Sequence, residues 1–219
     1  MAGCRIAIII PAFNEANTIF DVVTKSKNYG TPVVVDDCST DSTSEIAAQA
    51  GAIVISHEFN RGYDEALNTG FKIASDKEFD VVITMDADGQ HNPELLKKFI
   101  SAIDGGADIV AGVRHKKARF AEKVFSYLSI ILYGIKDPLC GLKAYRMNVY
   151  ESKGCFDSYG SIGTDLIIYA AKNNYNISQI EFEVMERFDS PRFGRRIDAN
   201  VKIFRALILS FLNGNKTNG

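Results

Sequence analysis

From Ile6 to Ile10 the chain is continuously apolar and then meets Pro11, the pattern of a strand buried on both faces. Glu15 to Lys27 follows with helical spacing, and Val33 to Val35 forms a second apolar run ending in Asp36-Asp37. Asp41 reads as an N-cap for a helix through Ala50. Ala52 to Ile55 predicts a third strand, Tyr63 to Ala74 a helix, and Val81 to Met85 a fourth strand ending in Asp86-Ala87-Asp88. Pro93 to Ile103 predicts a helix with proline in its first turn, where a missing N–H costs nothing. Asp108 to Ala111 predicts a fifth strand. Strand and helix alternate throughout, so the fold class is α/β, with a mostly parallel central sheet flanked by helices.

Beyond residue 114 the pattern is less regular. Phe120 to Tyr133 is strongly apolar and sits beside Lys116, Lys117, Arg119 and Lys123. It fits either a core helix or a helix lying on a membrane surface with its cations facing anionic headgroups. Leu142 to Arg146 suits a strand, Thr164 to Lys172 a helix, Ile177 to Met185 an extended segment, and Val201 to Leu212 an amphipathic helix. No repeat or linker interrupts the 219 residues. They read as a single domain, in which residues 1–114 form one half and 115–219 the other.

Composition narrows the function. A hydrophobic content of 46 % supports a full core, and a net charge of -2 gives no footprint for a nucleic-acid partner. Cys4, Cys38, Cys140 and Cys155 have neither zinc spacing nor a CxxC pair. They read as reduced thiols, which predicts a cytoplasmic protein. No run approaches the roughly 20 apolar residues of a spanning helix, so any membrane contact is expected to be peripheral.

Three polar clusters directly follow three strands: Pro11-Ala-Phe-Asn-Glu15, Asp36-Asp-Cys-Ser-Thr-Asp41 and Asp86-Ala-Asp-Gly-Gln90. In open α/β sheets ligands bind outside the carboxyl ends of strands, so the three should meet in one crevice. Asp86 and Asp88, with Gln90 as a further oxygen, suit a hard divalent cation, Mg²⁺ or Mn²⁺, held jointly with substrate phosphates. Asp88-Gly89 read alone also fits a polar turn. Asp37 and Glu15 suit a nucleoside, by accepting hydrogen bonds from ribose hydroxyls or base N–H groups. Glu15 equally suits a helix-start carboxylate.

These clusters, with Asn60-Arg-Gly62, His91 after the third of them and Ala111-Gly-Val-Arg114, resemble family 2 glycosyltransferases, most closely the dolichol-phosphate mannosyltransferases and polyprenyl-phosphate hexosyltransferases. The resemblance runs from Ile6 to about Gly194. It implies a nucleotide-sugar-binding fold of the GT-A type and an inverting transfer of a hexose from a GDP-mannose- or UDP-glucose-type donor. The implied nucleotide-pocket residues are Pro11, Phe13, Glu15, Val35 and Asp37. Asp86, Ala87 and Asp88 would hold the sugar diphosphate, with Asp88 and Gln90 at the metal, and Arg114 would contact the donor. Arg187 and Arg192 match basic residues near the diphosphate, in a register altered by Pro191. Lys136, Cys140 and Lys143 match the acceptor-phosphate stretch, usually written around Ser-Gly-Phe-Arg. Here Cys140, Leu142 and Lys143 depart from it, and lysine lacks the bidentate fork of arginine.

A polyprenyl phosphate acceptor is already anionic and needs no general base. A soluble enzyme acting on a saccharide or protein hydroxyl would need one. Asp165, at a predicted helix start, is the candidate base, against the plainer reading of a carboxylate stabilised by the helix dipole. His57 and His115 read as ordinary surface residues. Members of the family often continue into membrane spans, so attachment here would rest on a membrane subunit or on surface helices.

Overall fold

The structure, a computed structural model, describes residues 4–115, 119–184 and 196–212. Among these residues seven strands form one sheet: β1 (Ile6–Ala12), β2 (Thr31–Asp36), β3 (Ile53–Ser56), β4 (Val81–Thr84), β5 (Ile109–Arg114), β6 (Lys143–Arg146) and β7 (Ile177–Phe182). Their order across the sheet is β3-β2-β1-β4-β6-β5-β7. Every neighbouring pair is parallel except those made by β6, which runs antiparallel to both β4 and β5.

The reversal of β6 shapes the site. Lys143, its first residue, is paired with Thr84 of β4 and Ala111 of β5. The segment entering β6 therefore lies at the carboxyl edge of the parallel strands, among the acidic loops.

Among the described residues eight helices lie between and after the strands: α1 (Ile19–Ser26), α2 (Thr43–Gln49), α3 (Tyr63–Asp76), α4 (Leu95–Asp104), α5 (Phe120–Tyr133), α6 (Met147–Lys153), α7 (Asp165–Lys172) and α8 (Arg196–Leu212). Alternate β1 side chains serve the two faces, as the period of a strand requires. Ile8 and Ile10 pack with Leu96 and Phe99 of α4, while Ala7 and Ile9 pack with Leu67 and Phe71 of α3. A third cluster joins Ala121 and Phe125 of α5, Ile168 of α7 and Ile203, Ala206 and Leu207 of α8.

Expected helix starts move, and one helix is new. Helix α1 starts at Ile19 rather than Glu15, because Asn14 takes a left-handed φ of 55° and the chain makes a turn in which Glu15 O accepts from the N–H groups of Thr18 and Ile19. Helix α2 starts at Thr43 with Ser42 as N-cap. Asp41 still serves that start, accepting from Thr43 N–H at 3.0 Å and from Ala16 N–H at 3.2 Å. Helix α6 was not foreseen. It is a seven-residue segment closed by Gly154 in the left-handed conformation.

Candidate active site

The first two strand-end loops are tied together by polar contacts. Asn14 N–H donates to Ser39 Oγ at 2.8 Å, Asn14 Oδ1 accepts from Thr40 N–H at 2.7 Å, and Glu15 N–H donates to Thr43 Oγ1 at 2.7 Å. The third loop is joined to them where Thr18 Oγ1 donates to Ala87 O at 2.8 Å. Together they frame a cleft of about 390 Å³. Pro11, Phe13, Glu15, Asp37, Asp86, Ala87, Asp88 and Arg114 all line it, so the three clusters do meet at one sheet edge.

Asp86 is held by two side chains. Tyr63 O–H donates to its Oδ1 at 3.3 Å and His91 Nε2 lies 3.2 Å from its Oδ2. Burial pushes the Asp86 carboxyl upward, but the His91 hydrogen bond, the His91 and Arg114 charges and the Tyr63 hydroxyl outweigh it and hold the group below its ordinary value. Gly141 lies against this carboxylate, and a Cβ there would collide with both Asp86 oxygens. Asp88 Oδ1 accepts from Gln90 N–H at 3.1 Å.

Arg114 ends β5 and is fixed by Asp137, Nε to Oδ2 at 2.8 Å and Nη2 to Oδ1 at 3.0 Å. Burial alone would favour a neutral guanidine. The Asp137 hydrogen bonds and charge outweigh that, so the cation is held more firmly than usual. Glu122 of α5 stands beside it, with Oε2 at 3.6 Å from Arg114 Nη2 and Oε1 at 3.0 Å from Arg119 Nη1. Arg119 and Glu122 both line the cleft.

Other expected residues are placed elsewhere. Val35 is buried within β2 and Gln90 is half-buried; neither lines the cleft. Lys136 points outward, its Nζ 2.8 Å from Glu181 Oε1. Cys140 is fully buried, which pushes its thiol up to about 12. Lys143 is buried, donates to Gly163 O at 3.0 Å, and is driven down to about 8 by desolvation. These two sit behind the wall of the cleft rather than on it. Asp165 is also absent from the lining. Its Oδ2 accepts from Lys153 Nζ at 2.7 Å, Ser158 N–H at 2.9 Å and Ser158 Oγ at 2.7 Å, the surroundings of a structural carboxylate. Arg187 and Arg192 lie outside the described residues, as do Lys116 and Lys117.

One expectation fails outright. His57 is not a surface residue: it is buried, with Nδ1 2.8 Å from Asp37 Oδ1 and Nε2 2.9 Å from Thr69 Oγ1. Its acidic partner follows β2 while His57 follows the neighbouring strand β3, 20 residues later in the chain, so spacing gave no signal. Glu122 and Asp137 were missed because one lies in an apolar helix and the other in a stretch read for its cations.

Residues 7–146 match the family model for glycosyl transferase family 2. The chain belongs to that family. Two relatives align over most of their length. The UDP-N-acetylglucosamine–dolichyl-phosphate N-acetylglucosaminyltransferase of Methanococcus voltae is 30 % identical, across 95 % of this chain and 97 % of its own. The dolichyl-phosphate hexose transferase of Haloferax volcanii is 30 % identical, across 83 % of each chain. Among solved structures, glucosyl-3-phosphoglycerate synthase from Mycobacterium tuberculosis, in complex with Mn²⁺ and UDP-glucose, superposes with a TM-score of 0.76. It is 21 % identical, covering 97 % of this chain and 79 % of that one. The fold is thus the GT-A type expected, and this family 2 member is a glycosyltransferase.

Proposed function

We propose that the enzyme transfers a hexose, with inversion, from a nucleoside diphosphate sugar to a polyprenyl or dolichyl phosphate. The observation that carries the acceptor is the architecture of α5. Its inward face is partly polar, with Glu122, Ser126 and Ser129 buried, while its outward face exposes Phe120, Tyr127, Ile130, Ile131 and Leu132. That is the reverse of a water-facing helix, and the same helix walls the cleft through Glu122. A lipid surface meeting that face would place a lipid phosphate at the mouth of the site. Among the described residues no helix is long and apolar enough to cross a membrane.

The donor set suits Mg²⁺ or Mn²⁺. Asp86 and Asp88 offer only carboxylate oxygens on the cleft wall, and Gly141 leaves Asp86 the space it occupies. No group of three or more His, Cys, Asp and Glu suited to a metal occurs among the described residues, which fits a cation whose remaining ligands come from diphosphate and water. Held there, such a cation would offset charge on the leaving diphosphate. Arg114, held rigid by Asp137, stabilises the same charge without reorganising. A phosphate oxygen then attacks the anomeric carbon in line, needing positioning rather than a base.

The test is to incubate the protein with vesicles containing dolichyl phosphate and with labelled UDP-glucose, UDP-N-acetylglucosamine or GDP-mannose, each with Mn²⁺ or with EDTA. Label should enter the lipid phase only with metal present. Label passing solely to water-soluble hydroxyl acceptors would overturn the lipid-phosphate reading.

A further inference from the structure

The segment between α6 and α7 reaches the cleft at Ile162 and is fastened at two points to one face of α3. Asn68 Oδ1 accepts from Phe156 N–H at 3.1 Å and from Asp157 N–H at 3.0 Å, and Asn68 Nδ2 donates to Asp157 O at 3.0 Å. One turn earlier on the same face, Asp64 Oδ2 accepts from Ile162 N–H at 3.2 Å and Oδ1 from Gly163 N–H at 2.7 Å. Between these points the segment binds itself. Asp157 accepts from the N–H groups of Tyr159, Gly160 and Ser161 at 2.9, 2.7 and 2.8 Å. From β6, Lys143 Nζ donates to Gly163 O.

The fastening holds the backbone where it is least comfortable. Ile162 has a φ of 58°, a left-handed conformation that β-branched residues avoid. Such strain persists only where the surroundings impose it, and it gathers at functional sites. Asp64 grips the N–H groups of the strained residue and of the next one. Burial and the Asp157 charge push the Asp64 carboxyl up to about 6, against the pull of its two N–H bonds and Lys143. At neutral pH it is ionised and accepts only. Ile162 lines the cleft together with Leu139 and Ile203. All three belong to the apolar cluster beneath α5, the helix whose outward face is exposed. The start of α3 also holds two other walls of the cleft: Gly62 N–H donates to Asp37 Oδ2 at 2.7 Å and Tyr63 O–H to Asp86 Oδ1 at 3.3 Å. Three consecutive residues thus set three walls relative to one another.

We propose that Asp64 is a positioning residue: it holds Ile162 in its left-handed conformation so that Ile162, with Leu139 and Ile203, presents an apolar wall to the hydrocarbon next to the acceptor's phosphate. This rests on the lipid-phosphate reading above. Asp64 itself does not line the cleft, so it acts through Ile162. An apolar wall gains from desolvating an isoprene unit and offers nothing to a sugar hydroxyl, which would lose its water there without a new partner. The wall therefore serves the acceptor and not the donor.

Steady-state kinetics of the full chain test this, with dolichyl phosphate in detergent, a labelled nucleotide sugar and Mn²⁺, each substrate varied in turn. Asp64→Ala should raise the KM for dolichyl phosphate roughly tenfold, the scale of one lost hydrogen bond to a charged group, and leave the donor KM unchanged. Asp64→Asn keeps one acceptor oxygen and should fall between Asp64→Ala and the wild type. Ile162→Gly adopts the same φ without cost and removes the side chain, so it should raise the acceptor KM similarly in a protein that folds at least as well. Adding Asp64→Ala to Ile162→Gly should then change little, because both act through one side chain. Donor and acceptor KM rising together, or full additivity of the two substitutions, would mean a merely structural role and overturn the proposal. So would an unchanged acceptor KM in folded Asp64→Ala, with the lipid-phosphate reading left standing. A wild type that transfers no label to the lipid overturns both.

Discussion

Arg114 and Asp137 form a two-point ion pair that bridges the end of β5 and the segment entering β6, with the Asp137 side chain only 1 % exposed. Because β6 runs backwards, a residue 23 positions later in the chain stands beside the last residue of a parallel strand. The pair fixes the direction in which the guanidinium faces the cleft. Asp137→Ala leaves the guanidinium with Glu122 as its remaining ion-pair partner. Removing one partner of a buried pair costs about 3–5 kcal/mol. The low end, about 3 kcal/mol, is expected here because the Arg114 side chain stays 21 % exposed. Urea unfolding measures that loss. Turnover should fall at least tenfold in the protein that remains folded, and unchanged turnover would show that Arg114 does not need this anchor.

Gly141 is defined by contact rather than by backbone twist. Gly141→Ala places a methyl group against both oxygens of Asp86, so the carboxylate must rotate away from its Tyr63 and His91 partners. The expected result is a folded protein with weakened Mn²⁺ dependence and a turnover loss of about 100-fold, the scale seen when a supporting contact to a metal ligand is removed. A Mn²⁺ titration of activity that matches the wild type would sink this account.

Asp88→Asn keeps the shape of the loop, since an amide oxygen can still accept from Gln90 N–H, now at 3.1 Å from Asp88 Oδ1. It removes one of the two cleft carboxylates proposed to hold the metal. Metal-dependent turnover should nearly vanish while the melting temperature stays close to that of the wild type. Full activity at saturating Mg²⁺ or Mn²⁺ would rule out Asp88 as a metal ligand.

The sheet and the meeting of its three polar loops were legible because both follow from local chemistry. Continuous apolar runs gave β1, β2 and β4, and their polar ends had to gather at one edge once the strands were parallel. The stretch expected to hold the acceptor phosphate was less legible. Lys136, Cys140 and Lys143 were expected together from a motif, yet Lys136 is exposed beside Glu181 and Cys140 and Lys143 are buried, while Leu139 and Gly141 line the cleft. His57 and Asp37 show the general difficulty. Their contact spans 20 residues and depends on β3 lying beside β2, so no local pattern announces it.

Lys143 supplies a pH test of its buried position. Desolvation lowers its folded-state pKa to about 8 from 10.5. Between those values the unfolded chain binds more protons than the folded one, so this residue makes stability rise with pH across that window. Below about pH 8 the folded protein carries the full cost of the buried charge, on the order of 3 kcal/mol at 1.36 kcal/mol per unit. Lys143→Met should therefore narrow its stability gap to the wild type as pH is raised from 8 to 10.5, if it begins as the more stable protein. A pH-independent difference between the two, measured by denaturant unfolding, would mean that Lys143 is solvated and not a strut to Gly163.

The exposed face of α5 makes the last prediction. Tyr127 and Ile131 are 65 % and 61 % exposed and lie four residues apart, one turn of the same stripe. Substituting such residues barely changes folding stability, typically within 0.5 kcal/mol. Burying an isoleucine side chain in a membrane surface is worth about 1.5–3 kcal/mol, so Ile131→Asp should weaken vesicle association at least tenfold. Turnover of long-chain dolichyl phosphate in vesicles should fall with it. Turnover of a short-chain, water-soluble polyprenyl phosphate should be retained, because Ile131 does not line the cleft. Equal losses on both acceptors would place the defect in the catalytic fold, and no loss on either would assign this face to something other than a lipid surface.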